Sequence, residues 1–161
     1  MKTNIFKITV VVILLIVTAH SCKQENPAPT LPPETQEGKH TFGCYVNGEL
    51  FVPSWKAASF GYPSLQANYR ISSNSLTIGA SGLNGFFTLT VYPEENNKQI
   101  QAWITYNNRS RTYKDTGTIV LTRFDLDNLI VSGTFSCEIQ YFYSITQGRF
   151  DIKMYDHSIR E

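Results

Sequence analysis

From His40 onward, apolar residues recur at every second position in short runs separated by polar turns. Phe42, Cys44 and Val46 alternate with Thr41, Gly43 and Tyr45. A period of two turns one side of an extended chain toward a core and the other toward water, which predicts strands. Asn47-Gly48 then supplies the positive φ angles of a tight hairpin, and Glu49 to Val52 run back. The same alternation marks Leu76, Ile78 and Ala80, and again Phe87, Leu89 and Val91, closed by Pro93 and the polar turn Glu94 to Asn97. Ile100, Ala102, Ile104 and Tyr106 predict a further strand with Trp103 on its other face. Ile119 and Leu121 belong to one that ends in Thr122-Arg123-Phe124, before a turn at Asp125 to Asn128. Leu129 to Tyr141 is the longest candidate strand, and Phe150, Ile152 and Met154 close the series. No window carries a helical stripe. Eight to ten short strands in about 120 residues predict an all-β domain, either an antiparallel β-sandwich or a small lipocalin-like β-barrel.

Ahead of His40 the pattern changes twice. Lys2 and Lys7 flank the start of an apolar run, Ile8 to Ala19, which is too short to span a membrane but suits the core of an export signal. Ala19-His20-Ser21-Cys22 follows, with small residues just before the cysteine. This resembles the lipobox of bacterial lipoproteins. The resemblance implies cleavage before Cys22, lipid on its sulfur and new amino group, and a chain held to a membrane by several acyl groups. Lys23 to Lys39 has four prolines and almost no apolar side chain. Such composition predicts an extended spacer that holds the domain about 50 Å off the bilayer. The expected organisation is therefore a signal peptide over 1–21, a lipidated Pro-rich tether over 22–39 and one β domain over 40–161.

Composition narrows the partners. Of 161 residues, 17% are charged and 13% aromatic, a balance that favours pleated surfaces over helices. Loss of Lys2 and Lys7 with the signal leaves 12 basic against 13 acidic residues, a net charge near −1. That lacks the positive field nucleic acids require, and no nucleic-acid partner is expected. The expected partners are the membrane, through Cys22, and a glycan or an envelope protein.

The blocks Leu31-Pro32-Pro33-Glu34-Thr35-Gln36-Glu37-Gly38 and Thr41-Phe42-Gly43-Cys44-Tyr45-Val46-Asn47-Gly48 resemble the opening of a Bacteroidota lipoprotein family of unknown function. Gly117-Thr118-Ile119, Ile130 to Phe135 and Gly148-Arg149-Phe150-Asp151 resemble its later half. The resemblance implies a β domain in the cell envelope, with the outer membrane as the expected address and its face open. It implies no chemistry.

Candidate chemistry is sparse. Cys44 and Cys137 each fall on the apolar side of a strand in an oxidising compartment. If their strands are neighbours, a disulfide would close a long loop and contribute about 4–5 kcal/mol; otherwise they are two buried thiols. Members of the resembled family tend to carry an aromatic residue where Cys137 stands, so the resemblance does not support a bridge. His40 and His157, with Asp156, lack the spacing of a metal site and read as surface termini. Asp125-Leu126-Asp127-Asn128 lacks the glycine and terminal Glu of a calcium loop and reads as a turn. Glu94-Glu95 reads as a solvated turn rather than a glycosidase pair. No nucleophile–base or phosphate-loop pattern is present, so no catalytic residue, metal or cofactor is assigned. The remaining handle is aromatic: Trp55, Tyr62, Tyr69, Trp103, Tyr113 and Tyr143, with Phe142, lie in loops or opposite the main apolar set. Flat rings there either recognise a ligand, with Arg109, Arg111 and Lys114 adding polar contacts, or form a second core layer. The expected function is a non-enzymatic, membrane-anchored binding domain. The alternatives are an accessory subunit of an envelope complex and, less favoured, a small hydrolase.

Overall fold

The computed structural model describes residues 28–57, 63–94, 99–108, 111–139, 142–155 and 159–160. The expected export signal over 1–21, Cys22, Tyr62, Glu95, Arg109, Asp156 and His157 lie outside them. Among the described residues ten strands form one hydrogen-bonded sheet: β1 (Thr41–Val46), β2 (Glu49–Phe51), β3 (Leu65–Arg70), β4 (Ser75–Gly82), β5 (Gly85–Val91), β6 (Gln99–Asn107), β7 (Thr112–Asp125), β8 (Ile130–Ile139), β9 (Tyr143–Lys153) and β10 (Ile159–Arg160). Their order is β10-β3-β4-β5-β6-β7-β8-β9-β1-β2. Every pairing is antiparallel except that of β10 with β3. No described helix is long and apolar enough to cross a membrane.

The sheet curls into a half-barrel. Four strands separate β1 from β5 in the sheet. Yet the rings of Phe42 on β1 and Phe87 on β5 lie 5.9 Å apart, and Phe51 on β2 reaches Phe87 at 4.8 Å. Only a sheet rolled on itself brings such distant strands ring to ring. The connection after β2 is tied across to β4, where Ser54 N–H donates to Ser81 O. Bulges at Gly43/Tyr45, Leu121/Arg123 and Phe135/Cys137 add local bend and twist.

The inner face carries the alternating set read from the sequence, and Phe42, Phe87, Leu89, Ile104, Ile119 and Ile152 are fully or nearly fully buried. Two cross-strand pairs show how rings are seated. Gly133 faces Phe150, and Phe135 faces Gly148. A Cβ on Gly133 would come within 2.8 Å of the Phe150 ring, and one on Gly148 within 2.6 Å of Phe135. Each ring lies on bare backbone. The Asn47-Gly48 hairpin forms as expected, with φ of 50° and 82°.

Three differences from the sequence reading have physical causes. The longest strand is β7, with 14 residues, not the Leu129–Tyr141 stretch. Its first residues, Thr112 to Thr116, are polar apart from Tyr113, so they show no apolar period. The strand β3 went unassigned because its inward positions, Leu65, Ala67 and Tyr69, include a small residue that barely registers as apolar.

The third difference concerns the tether. Leu31 to Lys39 does not stand off as a spacer; it crosses the outer face of the sheet as a strap. Asp151 on β9, only 1% exposed, is its fastening. Its carboxylate accepts from the Thr35 hydroxyl at 2.6 Å, from the N–H groups of Glu37, Gly38 and Lys39 at 3.0, 2.8 and 3.2 Å, and from the Ser132 hydroxyl at 2.6 Å. Arg123 Nη1 donates to Gln36 O at 2.6 Å, and Arg149 Nη1 to Pro32 O at 3.3 Å. Burial pushes the Asp151 carboxyl up. The bonds from Ser132, Thr35, Lys39 and Gly38 outweigh it and hold the group at about 2. Gly43 completes the seat, since a Cβ there would sit 2.6 Å from Pro32 Cδ. The low apolar content of the segment hid this docking, because the strap is held by hydrogen bonds.

Candidate functional site: an aromatic cup at one end of the half-barrel

The strand ends Val46/Glu49, Gly82/Gly85, Asn107/Thr112 and Ile139/Tyr143 lie together at the Val46 end of β1. Polar side chains tie them together. Asn47, held at positive φ by its turn, donates from Nδ2 to Phe142 O at 3.0 Å and accepts from Ser144 N–H through Oδ1 at 2.7 Å. Its own N–H reaches Ser144 O at 2.9 Å. One asparagine thereby joins the β1–β2 turn to the start of β9. Asn108 does the same between β6–β7 and β9: its Oδ1 accepts from Arg111 N–H at 3.1 Å, and its Nδ2 donates to the Tyr143 hydroxyl.

Tyr143 is the pivot. Its ring meets Tyr106 at 5.0 Å and Tyr113 at 4.9 Å, both edge-to-face, and Phe142 extends the series at 5.6 Å from Tyr113. Edge-to-face contacts of this kind fix ring orientation and contribute about 0.5–1.5 kcal/mol each. Against the Tyr106 and Tyr143 rings lies a recess of about 290 Å³, lined also by Asn47, Glu49, Phe51 and Asn84 among others. Burial, then the proximity of Tyr143, Cys44 and Glu49, pushes the Tyr106 phenol up, so it stays a donor at neutral pH. That hydroxyl reaches Asn84 O only at 3.5 Å, the outer limit of a hydrogen bond. The recess therefore offers ring edges, a weakly engaged hydroxyl, amides and one carboxylate. This set suits a small polar ring with hydroxyl groups.

The aromatic candidates from the sequence do not share one cleft. Tyr113 and Tyr143 meet in the cup. Tyr69 is buried in the core, its hydroxyl on Asn74 Oδ1 at 2.8 Å and its ring 5.1 Å from Phe124. Trp103 lies 46% exposed on the outer face of β6, with Lys114 Nζ 4.3 Å from its ring. Trp55 is 77% exposed on a 3-10 turn after β2, beside Lys56. Asn47, Glu49, Asn84, Tyr106 and Asn108 were missed as site residues. Tyr106 reads as core by alternation, and the asparagines read as turn formers; their common end of the barrel is a property of topology.

The two thiols are free and buried, not bridged. Strand β9 lies between β1 and β8, so Cys44 and Cys137 are two strand spacings apart, about 10 Å, beyond the reach of a disulfide. Burial pushes Cys44 to about 12, and burial with Asp115 and Glu138 nearby pushes Cys137 to about 11. Both stay as unreactive thiols.

The Asp125 turn is capped from within. Arg123 pairs with Asp125 at 2.6 Å, and Asn128 donates to it from N–H and Nδ2 at 2.8 and 2.9 Å. The Arg123 bond first, then those from Asn128, lower its carboxyl to about 2. Its oxygens serve the turn. His40 lies against Tyr155 at 6.4 Å between centroids. No group of three potential metal ligands occurs among the described residues. No family model, curated protein or solved structure matches the chain.

Proposed function

We propose that the chain is a lipid-anchored protein of the bacterial cell envelope, in the outer membrane, whose β domain binds a small hydroxyl-rich ring, such as a sugar, in the tyrosine cup. The address rests on the sequence before His40: a charged start, a short apolar run and a cysteine where cleavage falls. The binding role rests on one observation. Two tyrosines, Tyr106 of β6 and Tyr143 of β9, line a recess with Asn47 on its rim, and Tyr143 is held from behind by Tyr113 of β7 and by Asn108. A rim held in one shape loses little entropy when a ligand enters, which favours recognition.

Two experiments test this reading. For the cup, the full chain in detergent is titrated calorimetrically with neutral mono- and disaccharides. Tyr143→Ala is expected to weaken binding roughly fivefold to tenfold, from the loss of a stacking ring. Absence of saccharide binding, or binding indifferent to Tyr143→Ala and Tyr106→Phe, would reject the cup. For the anchor, Cys22→Ser is expected to abolish lipid on the N-terminus, read by mass spectrometry of the membrane fraction. An unlipidated mature protein with Cys22 intact would reject that part. The accessory-subunit alternative calls for a contiguous exposed apolar patch. The exposed Phe86 and Trp103 instead stand in separate register rows, opposite Asn107 and Thr90.

A further inference from the structure

Beside the strap, on the outer face of β7, β8 and β9, lies an open groove of about 440 Å³ that the cup reading does not involve. It is built by register. Val120, Thr134 and Arg149 stand side by side on the three strands, and Thr118 stands beside Ser136 in the next row. Gln147 borders the same space, and Glu34 of the strap forms its rim. Three hydroxyls and an amide thus surround one guanidinium on a floor that is partly apolar.

The guanidinium is fixed but incompletely matched. Arg149 Nη1 is committed to Pro32 O at 3.3 Å, and Nε reaches Gln147 O at 3.4 Å. Nη2 faces Glu34 Oε1 at 3.8 Å, an ion pair longer than a hydrogen bond, with the Glu34 side chain 63% exposed. A carboxylate already visits the site from the strap, and holds it loosely. Arg is the side chain that best recognises such a group, because its planar fork matches two oxygens.

We infer that this groove binds an acidic sugar, whose carboxylate displaces Glu34 from Arg149 and whose hydroxyls bond to Thr118, Thr134, Ser136 and Gln147. Binding is then in direct competition with a strap residue. The occupied groove releases the Glu34 side chain, while Pro32 on one side and Thr35 on the other keep the strap backbone in place. The inference is independent of the tyrosine cup.

The test reads the site itself. In the ¹⁵N-labelled full chain in detergent, the Arg149 Nε–Hε resonance, assigned by its loss in Arg149→Lys, is followed during titration with D-glucuronate. Glucose, with hydroxyls alone, and acetate, with a carboxylate alone, are the controls. Glucuronate should shift the resonance saturably, and each control should need at least about tenfold higher concentration, because charge-assisted and neutral bonds both contribute. Glu34→Gln should tighten glucuronate binding roughly twofold to fivefold by removing the competitor. A purely structural role for Glu34 would not produce tightening. Tyr143→Ala should change nothing here, so failure of the cup and failure of the groove are separable. No saturable shift, equal response to acetate, or weaker binding in Glu34→Gln would overturn the inference.

Discussion

At the Thr41 end of β1 the chain is fastened by hydrogen bonds to one buried carboxylate; at the Val46 end it is fastened by stacked rings and two asparagines. Asp151 stands opposite Thr41 in the register with β9, and Ile145 stands opposite Val46, so the two devices sit about 17 Å apart along the same pair of strands. The carboxylate end is saturated. Its oxygens accept from five groups, and nothing there invites a ligand. The ring end is also tied together, but its partners are edges and a long Tyr106 bond, which leaves room for a guest. The difference separates holding from recognising. A fully satisfied charge makes a fixed joint, whereas a rim held from behind with a half-used interior makes a receptor.

Because Asp151 takes four of the strap's hydrogen bonds, its substitution should have the largest effect. Asp151→Ala is expected to lower stability by about 3 kcal/mol in urea melts, since bonds to a charged group contribute about 1.5–3 kcal/mol each and some donors regain water. It should also open Leu31 to Lys39 to protease. The same group sets an acid limb. Its folded value near 2 lies below the ordinary 3.8, so its contribution is complete above about 4 and is lost as pH falls toward 2. The loss should total about 2 kcal/mol, and Asp151→Asn should remove that share of the limb, leaving the smaller part that the more exposed Asp125 contributes. An unchanged limb in Asp151→Asn would mean that another carboxylate dominates. Gly43→Ala probes the same seat sterically. The new Cβ would press on Pro32, so the strap should lift there at a cost of about 1–2 kcal/mol, with the cup unaffected.

At the other end, Asn47→Ala removes the side-chain ties to Phe142 and Ser144 and leaves a non-glycine residue at positive φ. The expected cost is about 1 kcal/mol, with loosening of the cup read by loss of saccharide affinity. If Asn47→Ala destabilises as much as Asp151→Ala, the two ends are equivalent fasteners and the contrast fails. The smallest effect belongs to the thiols between them. Cys44 and Cys137 should resist a thiol reagent at pH 8 in the folded chain and react only on unfolding.

Much of the barrel was legible beforehand. The inward set Phe42, Phe87, Leu89, Ile104, Ile119 and Ile152 follows from alternation alone, and the Asn47-Gly48 turn from its φ demand. What alternation conceals is equally specific. It hides Asp151, because a polar residue on the outer face of a strand reads as solvent-exposed until another segment covers it. It hides the cup, because Tyr106 and Tyr143 are remote in sequence and meet only through topology. It left Cys44 and Cys137 undecided, because pairing depends on which strand lies between them.

The sequence by itself determined the period of the strands, the turn chemistry and the apolar inner face, since these depend on neighbours one to four positions away. The tertiary structure decided the strand order, the curl, the docking of Leu31 to Lys39 on Asp151 and the convergence of three tyrosines. Those depend on contacts between residues more than 100 positions apart, such as Thr35 with Asp151 at 116 and Pro32 with Arg149 at 117, which no local pattern encodes.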